Sequence, residues 1–96
     1  MAILALGDLI VTGEEALKVA DSLTSTSLKI LKLVSKEQLD VSTIARKLGL
    51  SEAYMSEQVR MLEEAKLVNV SYGRGKRGIR KLCELAFARI IIVIKP

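Results

Sequence analysis

The sequence has no histidine, no tryptophan, one proline and one cysteine among its 96 residues. Each shortage excludes something. Without imidazole, and with Cys83 as the lone thiol, no nucleophile–base set of the serine–histidine or cysteine–histidine kind can be assembled. No catalytic set or cofactor motif is visible, and an enzyme is not expected. One cysteine excludes an intramolecular disulfide, which suits a reducing, cytoplasmic compartment. Aromatic residues number three, Tyr54, Tyr72 and Phe87, so the core must be aliphatic. No run approaches the ~20 apolar residues that span a bilayer. The N-terminal MAILALGDLIV has no basic leader and is interrupted by Asp8, so it does not read as a secretion signal and no membrane partner is expected. Acidic residues are also missing from one window. Between Ala65 and Cys83 there is none, whereas Lys66, Arg74, Lys76, Arg77, Arg80 and Lys81 all fall there. The net charge of +4 is mild, and its placement is the signal.

Half the residues are hydrophobic, enough for one domain, residues 1–96, with a small core. The stretch Asp40–Leu67, DVSTIARKLGLSEAYMSEQVRMLEEAKL, organises it. Ile44, Ala45 and Leu48 share one helical face. Gly49 then offers the left-handed conformation that ends a helix. Ser51 is a good N-cap for the next helix. There Met55, Val59, Leu62 and Ala65 recur at spacings of four, three and three, again one face. Helix, short glycine turn, helix is the helix-turn-helix pattern.

The flanking segments are read in order. Residues 1–13 form an N-terminal strand or arm around Leu9-Ile10-Val11-Thr12. Residues 14–67 are helical. Glu14–Leu23 is a first helix whose acids suit its N-terminal dipole, with Leu17, Ala20 and Leu23 on one face. Thr24-Ser25-Thr26 offers caps for a second helix with Leu28, Leu31 and Val34, or Ile30 and Leu31, turned inward. Ser35–Leu39 reads as a polar loop and Asp40 as the next N-cap. In residues 68–86 the period changes to two: Val68, Val70 and Tyr72 alternate with Asn69 and Ser71, and Ile79–Glu84 alternates likewise. Gly73–Gly78, with three glycines in six residues, reads as a flexible loop between them. A hairpin placed after a helix-turn-helix is a wing. Residues 88–95 hold Ile90–Ile94, β-branched throughout and apolar on both faces, a strand that must be covered or paired. Its only apolar counterpart outside the wing is near the N-terminus, so the chain ends are expected to pair. Pairing within one chain and between two both satisfy the pattern. The expected fold is α+β: a winged helix-turn-helix of about four helices and a β-hairpin wing, with extra apolar strands at both termini.

The phrases STSLKILKLV, DVSTIARKLGLSEAYMSEQVRMLEEAKLV and GRGKRGIRKLCEL resemble the ArsR-type winged-helix transcriptional regulators, in particular short archaeal members, over Glu14–Leu85. The family pattern is matched by Ser51, Ser56, Val59, Leu62, Ala65, Leu67 and Val68. Gln58 stands where the family usually has His, and Lys66 where it usually has Gly. The resemblance implies a DNA-binding repressor. It also implies metal sensing through cysteine pairs or histidine–carboxylate sets, which this sequence cannot supply by itself, so no metal is expected. The C-terminal dimerisation helix of many members is replaced here by an apolar strand.

On this reading the partner is double-stranded DNA, bound by a homodimer. The outward face of the second helix of the motif carries Ala53, Tyr54, Ser56, Glu57 and Arg60 to the major groove. Ser42, Thr43, Arg46 and Lys47, and Ser51 at the turn, lie near the DNA backbone, with capping and solvation as their alternative roles. Arg74, Lys76, Arg77 and Arg80 on the wing contact phosphate or the minor groove. Two other readings stand beside it: a low-specificity architectural DNA-binding protein, and a protein-interaction module suited by Glu52, Glu57, Glu63 and Glu64. Cys83 reads as a small buried hydrophobe, with a redox or intersubunit disulfide as the alternative.

Overall fold

A computed structural model describes residues 6–75 and 78–95 of the chain. Strand β1 (Asp8–Val11) leads into helices α1 (Gly13–Ser22) and α2 (Ser25–Val34). A short strand β2 (Leu39–Asp40) precedes α3 (Val41–Leu48) and α4 (Glu52–Glu64). Strands β3 (Val68–Gly75), β4 (Gly78–Leu85) and β5 (Arg89–Ile92) follow. The wing is therefore three-stranded, in the order β2-β4-β3, with β2 and β3 both antiparallel to β4. The segment expected to be only a polar loop thus ends in a strand that joins Leu39 to Cys83 across the sheet. Two paired residues carry no alternation to reveal them.

Local chemistry explains the helix ends. At α2, Thr24 and Ser27 form a reciprocal capping box: the Thr24 side chain accepts from the Ser27 N–H at 3.0 Å, and Ser27 Oγ accepts from the Thr24 N–H at 2.6 Å. Asp40 Oδ1 caps α3 by accepting from the Thr43 N–H at 3.0 Å. Ser51 Oγ caps α4 by accepting from the Tyr54 N–H at 3.2 Å. Between α3 and α4 the chain turns at Gly49, which sits at φ +68°. The Leu50 N–H reaches the Ala45 carbonyl at 3.0 Å and the Gly49 N–H reaches that of Arg46 at 3.2 Å. That is a Schellman closure, and it needs the left-handed residue glycine provides.

The same closure ends α4 without a glycine. The Leu67 N–H bonds to the Leu62 carbonyl at 2.9 Å and the Lys66 N–H to that of Glu63 at 2.9 Å. Lys66 itself has φ +65°, the one non-glycine residue with positive φ among those described. Leu62 and Leu67 on either side of the closure are both buried, and their packing holds a lysine in a conformation its Cβ disfavours.

The core is aliphatic. Ile30, Ile44, Met55, Val59 and Leu62 are fully buried and pack with Val34, Ala45, Leu67, Val68 and Cys83. The helix-turn-helix faces lie as their spacing predicts. The first helix does not, and in the second the expected Ile30 and Val34 are buried while the expected Leu28 is not. In α1 the inward residues are Ala16, Val19 and Ser22, whereas Leu17 and Ala20 face outward. In α2 Ser27, Ile30 and Val34 face inward, Leu31 is half-buried and Leu28 is exposed. In both helices several apolar faces compete, and a capping hydroxyl or small residue, not the largest side chain, occupies the buried position. Ser22 and Ser27 satisfy their hydroxyls on the Val19 and Thr24 carbonyls at 2.7 and 3.0 Å.

The glycine-rich segment also differs from expectation. Gly73, Arg74 and Gly75 are paired in β3, with Gly75 opposite Gly78, so the ladder runs to the hairpin tip. The chain ends pair within one chain: β1 and β5 form a two-stranded parallel sheet, Asp8 opposite Arg89 through Val11 opposite Ile92. Leu9, Val11 and Ile90 pack on the core. Cys83 is buried in β4, and burial pushes its thiol up to about 11. It therefore carries almost no thiolate at neutral pH, which fits the hydrophobe reading and not the redox one.

Replacing Lys66 by Gly removes a left-handed lysine while keeping both closing hydrogen bonds. The variant is expected to be more stable by about 1 kcal/mol, read as a raised urea midpoint with unchanged slope.

Candidate nucleic-acid interface

Three elements converge on one cleft. The start of α3 supplies Asp40, Val41, Ser42 and Arg46, the outer face of α4 supplies Glu52 and Ser56, and the wing supplies Arg74, Gly75, Gly78, Ile79, Arg80 and Lys81. The cleft has a volume of about 980 Å³. The helix-turn-helix packing fixes one wall. The wing hairpin, anchored by buried Val68 and Cys83, fixes the other.

Of the residues singled out in the sequence, Ser42, Ser56, Arg74 and Arg80 line this cleft. Ala53, Tyr54, Glu57 and Arg60 are exposed on α4 but outside it. Ser51 is exposed, and its hydroxyl already caps α4. Thr43 is half-buried, with its N–H held by Asp40. Lys76 and Arg77 lie outside the described residues. Arg46 and Lys81, which the sequence places among the basic residues of helix three and the wing, also line the cleft, and so does Asp40, read in the sequence only as an N-cap. Arg46 and Lys81 carry the charge expected of the site. Asp40 gives no local signal beyond its capping role.

The charges do not stand alone. Arg80 Nε donates to Asp40 Oδ2 at 3.0 Å, across forty positions of sequence. Arg60 is held from two sides: Nε donates to Glu57 Oε2 at 3.2 Å, its NH2 group to Glu57 Oε1, and NH1 to Glu64 Oε1 at 2.5 Å. Thr43, foremost, and then the Arg80 guanidinium hold the Asp40 carboxyl below the usual carboxylate range, against the opposing effect of partial burial. The hydrogen bonds from Arg60 likewise lower Glu57. Among the described residues no other ion pair lies in or beside the cleft, so Arg46, Arg74 and Lys81 face it without a carboxylate partner. No group of three or more Cys, Asp or Glu among the described residues is placed to hold a metal ion. No helix among them is long and apolar enough to cross a membrane.

Capped helix pair, three-stranded wing and the cleft between them define a winged helix-turn-helix. Residues 24–70 match the family model described as bacterial regulatory protein, arsR family. Among solved structures it is similar to the homodimeric winged helix-turn-helix DNA-binding domain Mb0332 of Mycobacterium bovis, described as a possible ArsR-family transcriptional regulator. Identity there is 23%, over 76% of this chain and 65% of that one, with a TM-score of 0.67. It is similar to reduced HlyU of Vibrio cholerae at 20% identity, over 77% and 75% of the two chains, TM-score 0.65. It is similar to NolR of Sinorhizobium fredii at 25% identity, over 78% and 72%, TM-score 0.64. A comparison with curated protein sequences returns no match.

Asp40 has a depressed pKa in the folded state, so its contribution to stability is present above the ordinary carboxylate value near 4 and lost as pH falls through the lowered one. Asparagine keeps the cap but cannot titrate. Between pH 7 and pH 3 the melting temperature of Asp40→Asn should fall less than that of the parent, measured by circular dichroism.

Proposed function

We propose that the protein is a DNA-binding transcriptional regulator that occupies duplex DNA as a homodimer and represses by doing so. The observation that carries this reading is the cleft, where Arg46, Arg74 and Lys81 face the outer side of α4 on an ArsR-type scaffold. α4 would enter the major groove, with Ala53, Tyr54 and Ser56 near base edges. The wing, with Arg74 and the adjoining Lys76 and Arg77, would hold the backbone. Phosphate contacts of this kind supply affinity without sequence information, and base contacts supply the choice. A homodimer places two such helices about 34 Å apart, one turn of DNA.

The terminal sheet suits the two-fold contact. Both of its strands are apolar, each has one neighbour, and Ile10, Ile91, Ile92 and Ile94 are exposed. Asp8 and Arg89 neutralise each other there, with Arg89 NH2 and Asp8 Oδ2 2.6 Å apart. Such a surface can meet its own copy without like-charge repulsion. A second reading, a protein-interaction module, is favoured by the acidic character of α4, whose Arg60 is already neutralised by Glu57 and Glu64.

Two measurements separate these readings. Fluorescence anisotropy with a random-sequence duplex should show binding that weakens steeply with salt. Replacing Arg74, Lys76 and Arg77 together by Ala should reduce the log–log salt slope by about 1 for each phosphate no longer neutralised. An unchanged slope removes the wing from the interface, and no binding at low salt favours the protein-interaction module. Light scattering on the size-exclusion eluate should give a dimer for the parent and a monomer for Ile91→Lys with an unchanged helical spectrum. A parent that is monomeric at tens of micromolar would overturn the dimer.

A further inference from the structure

Two of the arginines nearest the proposed DNA are bound to carboxylates of this same chain. Arg60 offers its Nε–H and both terminal nitrogens to Glu57 and Glu64, one turn away on either side. Those are the donors a guanine edge or a phosphate would otherwise take. Arg80 gives its Nε–H to Asp40, and both residues line the cleft. The Arg80 arrangement is sterically set as well. The Arg80 stem lies across Gly75, and a Cβ at that position would collide with Arg80 Cγ and Cδ. The glycine therefore makes room for the arginine to reach Asp40.

We infer that Asp40, Glu57 and Glu64 are specificity-determining residues that hold Arg80 and Arg60 away from DNA phosphate, so that indiscriminate backbone binding is suppressed. This rests on the DNA-binding reading above. The Arg60 pairs are suited to exchange, and in the other pair the Arg80 side chain is about half exposed while Asp40 is mostly covered. The side chains of Arg60, Glu57 and Glu64 are about half exposed, and ion pairs of that kind are weak and salt-screened. A phosphate alone has to displace a carboxylate and then lie beside it, gaining little. A site that also offers matched contacts to the outer face of α4 can complete the exchange. The carboxylates thus lower affinity for every duplex and leave discrimination to the groups that touch bases, a use of repulsion to select a partner.

The test is a pair of double-mutant cycles on the full chain, with a random-sequence duplex titrated across salt. Asn retains the α3 cap, so Asp40→Asn removes the charge and keeps the helix start. Glu57→Gln with Glu64→Gln frees Arg60. Each neutralisation should tighten binding about fivefold near 0.1 M salt and steepen the log–log salt slope by about 1. Arg60→Ala should change the parent less than about twofold, yet remove most of the gain in the Glu57→Gln, Glu64→Gln background. Arg80→Ala should do the same in the Asp40→Asn background. A gain that persists without the arginine would overturn the inference, because the carboxylates would then act only by repelling phosphate. Unchanged affinity on neutralisation would overturn it too, while salt-dependent binding by the parent would leave the DNA reading standing. No binding by the parent or any variant at low salt would end both.

Discussion

The inner face of α4 is the constraint from which the rest of the molecule takes its position. Met55, Val59 and Leu62 are fully buried, and α4 packs on α3, α2 and β3. Each such side chain stabilises by about 1.5–3 kcal/mol when buried, so these three make a large share of the margin available to a chain of this size. No aromatic ring lies among the fully buried residues. The fit depends on branched and flexible aliphatics: Ile30, Ile44 and the adaptable Met55 share one buried cluster. Because the inner face of α4 is fixed in this way, its outer face is fixed too. Glu52 and Ser56 necessarily look into the cleft, and Glu57, Arg60 and Glu64 necessarily form a charged row outside it.

The wing answers to the same core by a different route. Cys83 and Val68 are buried, and the hairpin then runs out past the body of the domain with Tyr72 and Ile79 exposed. Pairing continues to Gly75 and Gly78, so Arg74 is carried on a strand and not on a slack loop. Its backbone is therefore ordered before any partner arrives, which lowers the entropy cost of binding. Asp40 ties this wing to the helix-turn-helix twice: by β2 pairing with β4, and by its carboxylate on Arg80. The same carboxylate caps α3. One side chain thus couples the start of the helix pair to the charge of the wing.

At the other end, β1 and β5 form a parallel pair of strands. Parallel strands are usually covered on both faces. Here one face rests on the core through Leu9, Val11 and Ile90, and the other exposes Ile10 and Ile91. The Asp8–Arg89 pair closes the first register position. The β-branched run Ile90–Ile94 favours an extended chain, and the pairing partner decides whether that extension is useful or hazardous.

Much of the fold was legible because its signals are local. Gly49, Ser51 and Asp40 end and begin helices by hydrogen bonds that span three to five residues. The periods of α4 and of the hairpin show which side chains turn inward. Those features, with the basic stretch after Ala65, determined the winged helix-turn-helix and the kind of surface it presents. Tertiary structure decided what depends on residues distant in sequence. It chose Ala16 and Val19 over Leu17, and Ser27 over Leu28, because burial follows the shape of the neighbouring helices and not hydrophobicity alone. It extended β3 through two glycines because the opposite strand supplied partners. It placed Asp40 on Arg80, forty residues away, and Asp8 on Arg89, eighty-one away. Glu57 and Glu64 lie within a helical turn of Arg60, but long-range charge pairing leaves no period in a sequence, and so Asp40 as the partner of Arg80 became visible only in the fold.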